Sequence, residues 1–283
     1  MKGTLKTVES HGSFRYMTFT CPKHGDFTLT RIAMKNGTLV GPSEECPECK
    51  AEYNAAHKDE IEAEKRRAKE AAEKKDRENK IAMALKFSNI PQEYQNVDLS
   101  TLSFADKGNA ETLRQARLYV EHFEETRKKG VGLFLYGETG TGKTYLACAI
   151  LRALMPAVRG RYAMTWQIIR AIKSSGFQYD PLTPFIEAPL LVIDEVGVQY
   201  GSKFEETALY PLIDTRVVER RPTIFISNVQ PDTKDVSRRE ETVRGMLGER
   251  LWDRVQYRSV FLPLHGASVR KRYRSVDELV TEN

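Results

Sequence analysis

Residues 137–144 read GETGTGKT, the spacing G-x-x-x-x-G-K-[ST], between the apolar run VGLFLY and the segment YLACAILRAL. Those residue types at that spacing suit a chain of phosphates. Glycine lets the backbone turn tightly, so that successive N–H groups and the N-terminus of the following helix face negative charge. Gly137, Glu138, Thr139, Gly140, Thr141 and Gly142 would form the cradle. Lys143 would reach the β- and γ-phosphates of a nucleoside triphosphate, and the Thr144 hydroxyl would ligate Mg2+.

A metal held by one hydroxyl needs a carboxylate nearby, and LLVIDEVG supplies it at the end of an apolar run. Asp194 would hold Mg2+, directly or through water, and Glu195 would polarise an attacking water as general base. The pair points to hydrolysis as well as binding. A third group, Asn228, follows the apolar stretch TIFIS, where a polar side chain could sense the γ-phosphate or place the water.

Such groups work only at the ends of strands that share a sheet. Strands are expected at 131–136, 162–165, 189–194, 222–227 and 259–264, with helices at 143–154, 166–174, 204–219 and 240–253. Apolar strands alternating with helices predict an α/β fold whose parallel sheet is covered on both faces.

A second constellation lies near the start of the chain. CPKH and CPEC place Cys21, His24, Cys46 and Cys49 in two pairs at x₂ spacing, a donor set for a closed structural Zn2+ site. Short strand patterns (FRYMTFTC, GDFTLTRI) and an Asn36-Gly37 turn surround it. A β module of this size has little core without a staple. His57 falls outside both pairs as a linker residue, and Cys148 falls on the apolar face of the helix after the phosphate loop.

The 283 residues carry 44 basic and 39 acidic side chains, a formal charge of +5 that permits nucleic-acid binding without demanding it. Four parts are expected: a zinc module at 1–50, a charged helical linker at 51–86, a nucleotide-binding core at 87–267 and a basic tail at 268–283. The linker offers Glu62/Arg66, Glu70/Lys74, Glu73/Arg77 and Asp76/Lys80 at helical i,i+4 spacing. Its thin apolar stripe favours a solvated helix, with a coiled-coil or partner-binding helix as the alternative. No apolar run approaches a membrane span or a signal-peptide core, so a cytoplasmic protein is expected, in which cysteines serve as metal ligands or buried residues. Basic clusters at RGRY (159–162), SRRE (237–240) and RKRYR (270–274), with Tyr162, Tyr273 and Tyr200 among them, fit either solvated loops or a single-stranded nucleic-acid track.

In order and distance, GETGTGKT, LLVIDEVG, RPTIFISN and LGERLWDRV resemble the bacterial AAA+ helicase loaders of the DnaC type and their relatives, the IstB transposition helpers. The resemblance spans about residues 87–275, and FEETALYPLIDTRVVERRPTIFISN is its most specific piece. It implies a Mg2+-dependent AAA+ ATPase that acts as an oligomer, with an arginine finger supplied in trans. Arg254 takes the finger position, with Arg250 before it, and Arg270 matches a late arginine that contacts ATP from its own subunit, Arg272 and Arg274 being alternatives. About 19 residues follow VFLPL, too few for a helical lid domain, which agrees with the lidless loader group.

The implied partners are the hexameric replicative DNA helicase, engaged by the N-terminal module, and single-stranded DNA. The zinc pattern is not shared by every member, so a zinc ribbon on single-stranded DNA competes with the helicase-binding role. Two rival functions stay open: an IstB-like helper that binds duplex DNA and a transposase, and a zinc adaptor that uses ATP only structurally.

Overall fold

The computed structural model describes residues 2–104, 106–174, 180–197 and 203–268, of which 203–206 are described as backbone only. Two compact units, Met1–Asp76 and Arg77–Asn283, divide the chain.

Period-2 alternation builds the first unit. β1 (Thr4–His11), β2 (Phe14–Cys21), β3 (Gly25–Ala33) and β4 (Leu39–Val40) form an antiparallel sheet in chain order. Met17 pairs with Leu29 and Phe19 with Phe27, so these four side chains share one face and make the unit's small core. The Asn36-Gly37 pair closes the β3–β4 turn, Gly37 adopting a φ of +82°. β1 escapes sequence reading because a register shift between Leu5 and Thr7 interrupts its alternation and its whole length is exposed.

α1 (Pro47–Ala56) begins earlier than the expected linker helix, with Pro47 in its first turn, where the missing N–H costs nothing. The chain breaks at His57 and resumes as α2 (Lys58–Ser88). Arg66 pairs with Glu70 and Lys69 with Glu73 on its solvated surface, contacts worth a few tenths of a kcal/mol each.

The second unit is an open parallel sheet of β5 (Gly132–Tyr136), β6 (Arg161–Met164), β7 (Leu191–Asp194), β8 (Thr223–Ser227) and β9 (Ser259–Pro263), in the order β6-β7-β8-β5-β9. Its helices are α3 (Lys107–Glu121), α4 (Phe123–Lys129), α5 (Lys143–Leu154), α6 (Thr165–Ser174), α7 (Thr183–Ile186), α8 (Lys203–Val218), α9 (Val243–Leu247) and α10 (Glu249–Tyr257). Neighbouring residues along each strand enter different cores. Leu133, Leu135, Val192 and Ile224 join residues of α3 and α5, together with Ile81, Ala84 and Leu85 of α2. Phe134, Leu191, Ile193 and Phe225 join residues of α6, α8 and α10. The sheet is buried on both faces, as uninterrupted apolar strands require.

The helix expected at 240–253 is divided. A 3-10 turn (Val236–Glu241) leads to Thr242, whose side chain accepts from the Gly245 N–H and starts α9, and Gly248 at a φ of +78° separates α9 from α10.

A full positive charge is sealed inside this fold. Arg216 of α8 is 1% exposed and donates to the carbonyls of Phe185, Ile186, Ala188 and Pro222 and to Thr223 Oγ1, at 2.6–2.9 Å. It ties the segment before β7 to the start of β8. Arg216→Met would leave buried carbonyls without donors, and we expect a loss of about 3 kcal/mol or more in urea denaturation. Arg216→Lys should recover only part, having three donors in place of a planar fork. A loss under about 1 kcal/mol for the methionine variant would contradict this role.

Candidate nucleotide and metal sites

The turn after β5 is shaped by close approach of its neighbours. A side chain at Gly137, φ +138°, would place its Cβ 1.9 Å from the Leu264 carbonyl oxygen, and Gly142 caps α5 at a φ of +95°. Lys143 starts α5 and is buried, and its Nζ donates to Gly137 O at 2.8 Å and Glu138 O at 2.6 Å, with Thr141 Oγ1 at 3.4 Å. Backbone oxygens thus compensate a charge that is otherwise costly to bury.

Thr144 faces the end of β7. Its hydroxyl donates to Asp194 Oδ2 at 2.8 Å, and the Glu195 N–H donates to Asp194 Oδ1 at 2.7 Å. A hydroxyl beside a carboxylate, both hard oxygen donors, fits Mg2+. Glu195 has a φ of +61°, a left-handed conformation that costs a non-glycine residue energy and recurs at functional sites. Asn228 follows the last residue of β8. Lys143, Thr144, Asp194, Glu195 and Asn228 line one pocket of about 380 Å³, with Thr139, Gly140 and Gly142.

Tyr162, taken from the sequence as a surface residue able to stack bases, is instead buried and donates its hydroxyl to Asp194 Oδ2 at 2.8 Å. Burial first, then the Asp194 charge, pushes its phenol well above the ordinary range, so it keeps its proton. The pocket also draws in residues that sequence reasoning missed: Glu93, Tyr94, Tyr145 and Met164. The Tyr94 and Tyr145 rings meet edge to face at 6.3 Å. Tyr145 follows the phosphate-loop threonine directly, but Tyr94 lies 51 positions before it, so no local pattern links them.

The arginines of α10 are held outside this pocket. Arg254 donates to Asp214 Oδ1 at 2.6 Å and to Asp253 Oδ2 at 3.4 Å, and the Asp214 carboxylate pushes its guanidinium pKa further up. Arg250 lies over the Tyr210 ring at 4.6 Å and donates to its hydroxyl. Neither is among the residues lining the pocket. Arg270, Arg272, Arg274, Tyr273 and Tyr200 lie outside the described residues. In the other basic clusters, Arg238 pairs with Glu241, and Arg161 lies over the Phe185 ring.

In the first unit, the β2–β3 hairpin and the start of α1 converge. Cys21 ends β2, His24 lies in the turn, Cys46 precedes α1 and Cys49 lies in its first turn. His24 Nδ1 is 3.2 Å from Cys49 Sγ, 3.5 Å from Cys46 Sγ and 3.8 Å from Cys21 Sγ, and Cys21 and Cys49 are 3.6 Å apart. An ion about 2.3 Å from each thiolate at the centre of a tetrahedron needs edges of about 3.8 Å. The donor set and its spacing fit Zn2+, and this is the metal-capable cluster found among the described residues. The far nitrogen of His24 meets Glu52 Oε1 at 3.2 Å, a carboxylate that orients the ring, and Lys23 pairs with the same carboxylate. Backbone N–H bonds, chiefly from Lys23, draw the Cys21 thiol down to about 6, against burial.

Residues 43–277 match the family described as IstB-like ATP binding protein. The replicative helicase loader DnaC of Escherichia coli (strain K12) is 32% identical over 195 residues, covering 66% of this chain and 74% of that protein. Among solved structures, the DnaC helicase loader superposes with a TM-score of 0.55 at 25% identity, covering 62% of this chain and all of that one. DnaI gives a TM-score of 0.52 at 25% identity, covering 63% of this chain and 96% of that one. Among the described residues, no helix is long and apolar enough to cross a membrane.

The zinc geometry makes its own prediction. Elemental analysis of the purified protein should find one zinc per chain, lost in Cys49→Ser, and Glu52→Gln should weaken zinc affinity by roughly tenfold. Full-length protein that folds without zinc and gains no heat stability from added zinc would contradict the site.

Proposed function

The chain belongs to the IstB-like ATP-binding family, and on that premise we propose that it is an ATP-hydrolysing loader that delivers a hexameric replicative DNA helicase onto single-stranded DNA. The observation that carries the ATPase half is the convergence of Lys143, Thr144, Asp194, Glu195 and Asn228 on one pocket. The loader half is supported by the similarity to DnaC over 74% of that protein's length.

In this reading the backbone from Gly137 to Gly142 and the Lys143 ammonium bind the ATP phosphates, and Tyr94, Tyr145 and Met164 offer a partly apolar, aromatic seat for the base. Thr144 and Asp194 hold Mg2+, which when bound would neutralise charge on the β- and γ-phosphate oxygens. Glu195, directed by its left-handed backbone, takes the proton of the attacking water, and Asn228 orients that water or the γ-phosphate. Arg254, outside its own pocket, completes the site of the next subunit, so hydrolysis depends on assembly. Arg270 is assigned to ATP of its own subunit.

Functional parts follow the sequence boundaries: 1–50 grips the helicase through the zinc-ordered module, 51–86 links, 87–267 is the motor and 268–283 is a basic tail. The assembled subunits carry single-stranded DNA, and the protein works in the cytoplasm. The IstB family match supports the second reading, a transposition helper on duplex DNA.

Mixing variants tests the shared site. Glu195→Gln should bind ATP normally and lose hydrolysis by roughly 10²-fold or more, and Arg254→Ala should do the same. An equal mixture should regain activity, because each Glu195→Gln subunit lends its Arg254 to a neighbour. No recovery, or full activity of Arg254→Ala alone, would contradict the finger. For the loader half, wild-type protein with ATP should enable the replicative helicase to unwind a strand annealed to circular single-stranded DNA, and Lys143→Ala should not. Full loading by Glu195→Gln and Lys143→Ala would instead favour an adaptor for which ATP is dispensable.

A further inference from the structure

Asp194 accepts three hydrogen bonds through its carboxylate, and one of them comes from a residue outside both the phosphate loop and the acidic pair. Thr144 Oγ1 donates to Oδ2 and the Glu195 N–H to Oδ1. The third donor is Tyr162, whose hydroxyl reaches the same Oδ2 at 2.8 Å. Tyr162 lies on β6, whose Met164 is in register with Asp194, and its ring is 1% exposed. A carboxylate can only accept, so the phenol donates, and three of roughly four lone-pair positions are then filled by protein. From the same side, Thr165 Oγ1 donates to the Asp194 backbone carbonyl at 3.0 Å. The edge strand and the start of α6 thus hold both ends of this residue.

We infer that Tyr162 is a positioning residue for the metal site: its hydroxyl holds the Asp194 carboxylate against Thr144, so that the pair which takes Mg2+ is assembled before the metal arrives. The inference rests on the reading of Asp194 as a Mg2+ carboxylate. Without the phenol, Oδ2 loses one of its two donors, and the carboxylate is held against Thr144 only by that hydroxyl and the Glu195 N–H. Tyr162 acts through Asp194, and its contribution should therefore be seen only when metal is bound.

Tyr162→Phe keeps the ring and removes the donor. The measurement is the affinity for a fluorescent ATP analogue with excess Mg2+ and with EDTA, for wild type, Tyr162→Phe, Asp194→Asn and the double variant. We expect the EDTA affinity of Tyr162→Phe to stay within about twofold of wild type and its Mg2+-dependent gain to fall roughly tenfold, as for other outer-shell partners of metal ligands. In the Asp194→Asn background, Tyr162→Phe should change nothing further, because the group it positions is gone. Equal losses with and without Mg2+ would show that the tyrosine shapes the pocket as a whole and would overturn the inference. An unaltered Mg2+ gain in Tyr162→Phe, alongside its loss in Asp194→Asn, would overturn the inference and leave the metal reading intact. A wild-type protein with no Mg2+ gain would instead refute the metal reading of Asp194, and the inference with it.

Discussion

The hydrogen bond from Thr144 to Asp194 is the constraint on which the rest of the ATP-binding unit depends. It joins the first turn of α5 to the end of β7, two elements 50 residues apart. β7 and β5 are separated in the sheet by β8, so the threonine reaches the carboxylate only if all three strands end at one edge in the right order. The burial of both sheet faces supplies that order, and close-packed glycine at position 137 lets the chain turn beneath Leu264 without moving it. Lys143 and Glu195, adjacent in sequence to the two bonded residues, are then delivered to the same pocket from the start of α5 and the end of β7.

The two units solve the problem of stability differently. The second has apolar cores on both faces of its sheet and a buried Arg216 that satisfies carbonyls around it. The first has a core of Met17, Phe19 and Leu29 with Phe27 packed on it, too small to offset the chain entropy of a four-stranded sheet. Four convergent side chains able to hold a metal offer that unit a staple, and the carboxylate beside them, Glu52, comes from the helix that carries Cys49. A metal held there would link binding to folding in this unit.

Legibility in the sequence followed the range of the interaction. α5 was readable to its ends, Lys143 and Leu154, because a glycine turn and an apolar helical face are local signals, and the apolar strands were readable within two residues. The metal-capable cluster was equally legible, since both halves have fixed short spacing. Tyr162 was misread because its partner lies 32 residues away, and a tyrosine after a pair of arginines looks the same whether it faces solvent or a buried carboxylate. Glu93 and Tyr94 gave no signal, since a short 3-10 turn has no periodicity to read. The single helix expected at 240–253 failed where Thr242 and Gly248 offered a cap and a turn that outweighed the helical pattern around them.

The most direct measurement of the loader account is light scattering coupled to size exclusion, on this protein mixed with the replicative helicase of its host, with and without ATP. The account predicts a discrete complex heavier than the helicase hexamer, lost when Cys46 and Cys49 are both replaced by serine. Absence of a complex in every nucleotide state, with ATP-dependent retention on duplex DNA instead, would contradict it.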